Sequence, residues 1–169
     1  MRETPKMPNY LNKNFFINLF IILVIFFLDR ISKFYVISQS EKNLSYDLFQ
    51  SKFLNISLIW NEGIAFGLLS FEKDHFYNIL TILILIVVIL ILFMIFRSEG
   101  LKKYSLIMIL GGALGNLYDR IFFGAVPDFI DFHVGNFHWF IFNVSDIFIT
   151  LGVIFLIILE LNINKKKDA

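Results

Sequence analysis

Four aspartates fall within one stretch of the chain, between Gly111 and Asp146, that begins in one long apolar segment and ends in the next. They are Asp119, Asp128, Asp131 and Asp146, and Asn116, Arg120 and Asn143 lie among them. A carboxylate at membrane depth is costly, so acids clustered at one membrane face indicate a functional site. Two neighbouring carboxyl groups do not both ionise easily, which leaves one as a base and the other as an acid. Such a pair can activate water for peptide hydrolysis without a nucleophilic side chain or a metal.

Asp128 and Asp146 are the pair for which this chemistry is predicted. Asp128 comes just after the third apolar segment and Asp146 lies near the start of the fourth, so both reach the same depth. A lone loop acid is usually just solvated. Helix-to-helix hydrogen bonding explains many intramembrane Asn and Thr residues, but it explains Asp146 less well, since an amide would bond without the ionisation cost.

The composition predicts a membrane protein. Of 169 residues, 57% are hydrophobic and 22 are Phe, which is too apolar for a soluble domain of this size. Only helices and closed barrels satisfy the backbone in lipid, and no barrel-type alternation is present. The prediction is a single, mainly α domain, a four-transmembrane-helix bundle. Its spans are about 15–37, 76–96, 104–123 and 141–161, with extracytoplasmic segments of about 38–75 and 124–140. The first span lacks a small-residue cleavage site and is taken as uncleaved.

Several classes of function and cofactor are disfavoured by composition. A net charge of +1 does not suggest nucleic acid, and the absence of Cys removes disulfides and thiolate chemistry. The three His residues (His75, His133 and His138) lack HExxH or comparable spacing, so no metal and no other cofactor is predicted.

Lys and Arg in the flanks predict the orientation. One side carries more of them, namely Arg2, Lys6, Lys13, Arg97, Lys102, Lys103 and Lys165 to Lys167. Both termini are therefore predicted to be cytoplasmic, with the acids towards the outer face. A bacterial plasma (inner) membrane is the natural setting, and the charge bias alone is also compatible with other membranes.

Residues 53–60 partly alternate apolar and polar side chains, and the following Asn61-Glu62-Gly63 is typical of a turn. A small antiparallel sheet between the first two spans is predicted there.

The third span holds Gly111, Gly112 and Gly115, whose spacing lets another helix pack backbone-close. Asn116, Asp119 and Arg120 share one helix face. For Asp119 and Arg120 a supporting role is favoured over direct catalysis, and Arg120 is expected to pair with a neighbouring acid. In the first span, Asp29 and Lys33 are four residues apart in the order that favours an ion pair.

With these residues in view, the chain resembles lipoprotein signal peptidase, also called signal peptidase II, over nearly its whole length. Five blocks in the same order carry the resemblance: Asp29-Arg-Ile-Ser-Lys33, Asn61-Glu-Gly-Ile-Ala-Phe-Gly67, Gly111-Gly-Ala-Leu-Gly-Asn-Leu-Tyr-Asp-Arg120, Val126-Pro-Asp-Phe-Ile130 and Phe142-Asn-Val-Ser-Asp146.

The resemblance implies a catalytic pair, Asp128 and Asp146. The residues expected to support the site or bind substrate are Asp29, Lys33, Asn61, Gly63, Asn116, Asp119, Arg120 and Asn143. It also implies a small extracytoplasmic β-cradle built largely from residues 38–67. The implied substrate is a prolipoprotein whose Cys carries a diacylglyceryl group, cut immediately before that Cys. Membrane lipid is the other expected partner, and a monomer is expected.

Two positions depart from the family pattern: Ser145 stands where Ala is usual, and Pro127 precedes the first catalytic Asp. The Ser145 hydroxyl could bond the carbonyl four residues earlier. Which Asp starts protonated stays open, because a coupled pair titrates as a unit.

Two other functions fit the sequence less well. A proton-coupled transporter or channel subunit should distribute its acids through the bilayer, whereas these cluster at one face and the second span has none. A purely structural membrane subunit would not need Asp128 and Asp146 together.

Overall fold

The computed structural model describes residues 13–63 and 73–167. The matching block at residues 64–67 and the N-terminal basic residues before Lys13 therefore lie outside the described residues. The elements in chain order are α1 (Lys13–Asn43), β1 (Asp47–Gln50), β2 (Leu54–Asn61), α2 (Lys73–Phe96), α3 (Gly100–Phe123), β3 (Val126–Val134), β4 (Phe137–Phe142) and α4 (Val144–Lys167). The predicted fold class, mainly α with a small sheet, is confirmed.

Four helices in the described part of the chain are long and apolar enough to cross a membrane. They cover Asn14–Asn43, Tyr77–Phe96, Gly100–Phe123 and Val144–Asn162. Half of the residues in an 18-residue apolar stretch of α3 are buried, against at most 17% in the corresponding stretch of any other of the four helices, because α3 packs against the other three. The least apolar helix is therefore the central one, and the more apolar helices expose their side chains around it.

Glycines bring the helices that carry the acids close together, as predicted from their spacing. A Cβ on Gly112 would lie 2.5 Å from the backbone oxygen of Ser145 in α4. A Cβ on Gly111 would lie 2.9 Å from Ile25 in α1, and one on Gly115 would meet side chains of both α1 and α4. Backbone-close packing of α3 against α1 and α4 needs these small residues.

An apolar cluster fixes the sheet onto the helices. Val36 of α1, Leu58 of β2 and Phe129 of β3 are buried together at its centre. Because Phe129 follows Asp128 directly, this packing places Asp128 at the end of the bundle where α3 finishes and α4 starts.

The sheet has four antiparallel strands in the order β1-β2-β3-β4. The resemblance implied a β-cradle built largely from residues 38–67. Two of the four strands, β3 and β4, come from residues 126–142 instead, so that expectation was incomplete. The strand Phe137–Phe142 is apolar at every position except His138, so hydropathy merged its last two residues with the fourth span. Helix α1 likewise continues to Asn43, six residues past the predicted end of the first span.

We expect Gly112→Ala to lower the stability of the folded protein. The added methyl group would overlap the Ser145 carbonyl, and overpacking of this kind costs about 1–3 kcal/mol. Ala has a higher helix propensity than Gly, which by itself would stabilise the protein. The packing clash and the helix propensity therefore change the free energy of unfolding in opposite directions. Thermal unfolding in detergent measures the difference, and an unchanged or raised melting temperature would contradict the close approach of α3 and α4.

Candidate active site

Asp128 lies in β3, and both of its carboxylate oxygens accept hydrogen bonds from amide side chains. Asn61 Nδ2 donates to Oδ2 at 2.8 Å and Asn143 Nδ2 donates to Oδ1 at 2.6 Å. The residue is only 4% exposed. Burial raises the pKa of Asp128 to about 6, and the nearby charge of Asp146 also raises it. The hydrogen bonds from Asn61 and Asn143 lower this pKa in part. Asp128 is thus poised to exchange a proton near neutral pH.

Asp146 is held by the start of its own helix. Because α4 begins at Val144, Asn143 is the N-cap and Asp146 the third helical residue. Asn143 Oδ1 accepts a bond from Asp146 N at 3.1 Å, and Asp146 Oδ2 accepts one from Asn143 N at 3.0 Å. This reciprocal pair is a capping box. The other oxygen, Oδ1, accepts a bond from Asn116 Nδ2 at 2.8 Å. The local rule that starts the helix therefore also orients the carboxylate.

Asn143 connects the two acids. Its side chain donates to Asp128, accepts from the Asp146 backbone and also donates to Asn116 Oδ1 at 3.1 Å. It is fully buried, so this amide has no competing water. The structure thus brings Asp128 and Asp146, 18 residues apart in the sequence, to one site.

Three Asn side chains present their NH₂ groups to Asp128 or Asp146, and in each the amide oxygen accepts a hydrogen bond from another group. Asn61 Oδ1 accepts a bond from Gly63 N at 2.7 Å, and Asn116 Oδ1 accepts one from Lys33 Nζ at 2.9 Å. Asn143 Oδ1 accepts the bond from the Asp146 backbone. Because the oxygens have these partners, flipping any of the amides would lose at least two hydrogen bonds, and the donors stay directed at the acids.

A cluster of four charged residues, which we call the ionic cluster, lies behind the acids and consists of Asp29, Arg30, Lys33 and Asp119. Arg30 donates through both terminal nitrogens to Asp119, and its Nη2 is 2.7 Å from Asp29 Oδ2. Lys33 Nζ lies 2.9 Å from Asp29 and 2.7 Å from Asp119. The two acids are fully buried and Lys33 is 1% exposed. Buried charges persist only when paired, and here two cations balance two anions.

The ionic cluster contacts the site at two points. Lys33 fixes the oxygen of Asn116, whose NH₂ then donates to Asp146. Asp29 Oδ1 accepts a bond from Ser145 N at 2.9 Å, in the first turn of α4. An acid at a helix N-terminus is favoured by the helix dipole, so this bond secures α1 to the start of α4.

Comparison with known proteins then places the chain. The family described as Signal peptidase (SPase) II matches residues 21–162. The chain belongs to the signal peptidase II family. It is 52% identical over 155 residues to the lipoprotein signal peptidase of Pelagibacter ubique (strain HTCC1062), covering 92% of this chain and 93% of that protein. It is 37% identical over 147 residues to the lipoprotein signal peptidase of Anaplasma marginale (strain Florida), covering 86% and 84% respectively.

Two solved structures, each described as a bacterial membrane enzyme, share the fold. One has a TM-score of 0.69 and 33% identity, covering 89% of this chain and 90% of its own. The other has a TM-score of 0.66 and 34% identity, covering 85% and 92%. This signal peptidase II family member is therefore a multi-pass membrane protein and a peptidase.

Within this family member, Arg30 is the site neighbour that sequence reasoning missed. The sequence shows it only inside the block Asp29-Arg-Ile-Ser-Lys33, with no role predicted, yet it forms hydrogen bonds with both buried acids of the ionic cluster. A signal was present, because Arg30 and Lys33 are three residues apart and so share a helix face beside Asp29.

Arg120 and Ser145 differ from what their sequence contexts suggested. Within residues 13–63 and 73–167, Arg120 Nε and Nη1 have no hydrogen-bond partner, and no ion pair joins Arg120 to an acid. Its Nη1 lies close to Gly63, and its backbone oxygen accepts a bond from Tyr77 at 2.9 Å. The Ser145 hydroxyl is buried and makes no bond to any described residue. It lies in the first turn of α4, where the carbonyl four residues earlier belongs to a strand.

We expect Asp119→Asn to destabilise the fold strongly. The substitution leaves Arg30 and Lys33 with one buried acid between them, and breaking a buried ion pair costs about 3–5 kcal/mol. Thermal unfolding and the yield of folded protein in detergent measure this effect.

Glu160→Gln is the matched control, since it breaks an ion pair with Lys102 whose side chains are 39% and 45% exposed. Pairs of that kind contribute about 0–1 kcal/mol. Equal effects of the two substitutions would contradict the structural role assigned to the ionic cluster.

Proposed function

We propose that this protein is an aspartic endopeptidase that removes the signal peptide from diacylglyceryl-modified prolipoproteins by cutting immediately before the lipidated Cys. The proposal rests on one observation: Asn143 forms hydrogen bonds with both Asp128 and Asp146. Membership of the signal peptidase II family, and relatives that are lipoprotein signal peptidases, support the substrate class.

The hydrolysis is proposed to use the two carboxyl groups as acid and base. The ionised member takes a proton from water, and the resulting hydroxide attacks the scissile carbonyl. The protonated member donates to the developing oxyanion, and a proton then passes to the leaving amine. Each carboxyl oxygen of Asp128 and Asp146 accepts one hydrogen bond from an N–H group of the protein, which leaves a second lone pair free for water or substrate. The amides thus position the acids without occupying them fully.

An apolar cavity of about 550 Å³ adjoins the site and suits the lipid part of such a substrate. It lies between the β3–β4 hairpin and α4, and Asp146 forms part of its wall. Most of its lining is aromatic and aliphatic, with Phe53, Phe132, Phe137, Trp139, Phe140 and Leu151 among the residues. An acyl chain held here would fix the depth of the scissile bond beside the acids.

The topology supports the proposed orientation. Asp128, Asp146 and the sheet share the end of the bundle where α3 finishes and α4 starts. The opposite end joins α2 to α3 and carries Arg97, Lys102 and Lys103. With the basic end in the cytoplasm, both termini are cytoplasmic and the site faces outward. The protein is proposed to act as a monomer in the bacterial plasma membrane.

We expect Asp128→Asn and Asp146→Asn each to reduce cleavage of a lipidated prolipoprotein by about 10²–10⁴-fold, because each removes one proton-transfer group. The double variant should be no worse than either single one, since neither carboxyl group works without its partner. Initial rates with purified protein in lipid or detergent measure the effect.

Asp47→Asn is the control for this pair, because Asp47 is an exposed acid on β1 of the same sheet. It should keep full activity. Thermal unfolding of every variant separates lost chemistry from lost fold. A well-folded Asp128→Asn or Asp146→Asn protein that still cleaves at the normal rate would refute the aspartic mechanism.

We expect an unlipidated prolipoprotein to be cut far more slowly than its diacylglyceryl form, because binding energy from the lipid contributes to turnover as well as affinity. Phe140 lies in the cavity wall. Phe140→Ala should slow cleavage of the lipidated substrate only, and so reduce the difference in rate between the two substrate forms.

Phe34→Ala is the matched control, since Phe34 is 75% exposed on α1 and does not line the cavity. Equal kcat/KM for the two substrate forms would contradict the lipid requirement. An effect of Phe34→Ala as large as that of Phe140→Ala would contradict the role of the cavity.

A further inference from the structure

Three potential metal ligands meet on the sheet, apart from the two acids of the site. Asp131 and His133 lie in β3 and His138 lies in β4. One ligand atom from each lies within 4.8 Å of the other two. His138 Nδ1 is 2.9 Å from Asp131 Oδ2 and 3.1 Å from Oδ1. We refer to these three residues as the His–Asp cluster.

Strand pairing, and not sequence spacing, creates this cluster. His133 and His138 are directly opposite in the β3–β4 register, so their side chains share one face of the sheet. Asp131 precedes His133 by two residues and therefore points to the same face. The pairing shifts between Asp131 and His133, and such irregularities commonly redirect a side chain. The expectation of no metal site came from spacing alone and did not include this pairing.

We propose that the His–Asp cluster binds one divalent transition-metal ion of the zinc type. Two imidazole nitrogens and one carboxylate oxygen form the donor set of three-ligand zinc sites, in which water completes the coordination. Imidazole ligands favour zinc, copper or nickel over magnesium and calcium, which prefer oxygen.

The surroundings of the cluster fit a ligand set. Asn55 of β2 donates to Asp131 Oδ2 at 3.2 Å, which is the outer hydrogen bond that commonly orients a metal-binding group. Asp131 is only 5% exposed, so its direction is fixed, whereas the His138 side chain is half exposed and leaves a path for an ion.

A ring nitrogen of His133 also supports a metal site, independently of the distances within the cluster. His133 Nδ1 is buried and has no hydrogen-bond partner among the described residues. A buried ring nitrogen without a partner is unfavourable, and metal coordination would satisfy it. The two imidazole rings stack with centroids 4.9 Å apart and planes 17° apart, so their nitrogens are close in space, and a rotation of the half-exposed His138 ring would direct both at one ion. A hydrogen bond between Asp131 and His138 alone would leave His133 Nδ1 unexplained.

A bound ion would join β3 to β4 next to the apolar cavity, which His133 also lines. Asp131 follows Asp128 by three residues, so the ion would brace the strand that carries the first acid without contacting that acid. The site is independent of the proposed peptidase chemistry, which needs no metal.

The test uses tag-free, full-length protein in detergent, with Zn²⁺ titrated by calorimetry and Cu²⁺ by fluorescence quenching. The chain has two Trp residues, Trp60 and Trp139. In a Trp60→Phe background the fluorescence therefore comes from Trp139, which is next to His138 in the sequence. We expect one ion per chain, strong quenching of Trp139, a higher melting temperature with Zn²⁺ and no response to Mg²⁺. Acidification should release the ion, because protons compete for the imidazoles.

Variants assign the ligands. His133→Ala, His138→Ala and Asp131→Asn should each weaken Zn²⁺ binding by more than about 100-fold, and Asn55→Ala by about 10-fold. His75→Ala, which removes the third His of the chain, should leave Zn²⁺ binding unchanged. His138 is half exposed, so its variant tests the site in a folded protein.

The proposal is overturned if wild-type protein binds no Zn²⁺, or if binding persists in folded His138→Ala. It is also overturned if His75→Ala weakens binding as much as His138→Ala does. Each of these outcomes leaves the peptidase proposal intact. Normal cleavage by Asp128→Asn, which would refute the peptidase proposal, has no bearing on Zn²⁺ binding. The two proposals therefore fail separately.

Discussion

The burial of Asp29 and Asp119 beside Lys33 and Arg30 is the interaction on which the rest of the structure depends. Four ionised groups in an apolar bundle would each be prohibitive alone, so the helices that carry them have to meet. Arg30 and Lys33 come from α1, Asp119 comes from α3, and Asp29 receives the Ser145 N–H of α4. Three helices thus converge at one depth because their charges require partners there.

Small residues make that convergence possible. At Gly115 an added Cβ would overlap the Ser145 hydroxyl and lie 2.7 Å from the Asp29 carboxylate. The charges could not reach one another across a larger side chain. Electrostatic pairing and backbone-close packing are therefore two aspects of one contact among α1, α3 and α4.

From this contact a hydrogen-bonded path leads to the proposed catalytic acids. Lys33 holds the Asn116 oxygen, Asn116 donates to Asp146, and Asn143 links Asp146 to Asp128. Fixed amide donors stabilise an ionised carboxylate, while burial of Asp128 favours its protonated form. The opposition between these two effects holds the pKa of Asp128 at about 6. A carboxyl group with such a pKa can take up and release a proton near neutral pH, as acid–base hydrolysis requires.

The sequence by itself determined the four helices, because apolar length is a local property that hydropathy reads directly. It also determined the Asp29–Lys33 pair and the close packing at the glycines of α3, since helical spacing fixes which side chains share a face. Asp128 and Asp146 could be named as the catalytic pair because five blocks resemble one family, and the structure places them at one site. That catalytic role itself stays a prediction.

Tertiary structure alone decided the rest. Arg30 bonds Asp119 only because α3 brings that acid to it, and the directions of the Asn116 and Asn143 amides depend on partners distant in the chain. The strand Phe137–Phe142 is apolar except at His138 and runs into the apolar fourth span, so only its pairing with β3 shows it to be a strand and places His138 opposite His133. Hydrogen bonds and charges are satisfied across elements, and for that reason their partners cannot be read from local sequence.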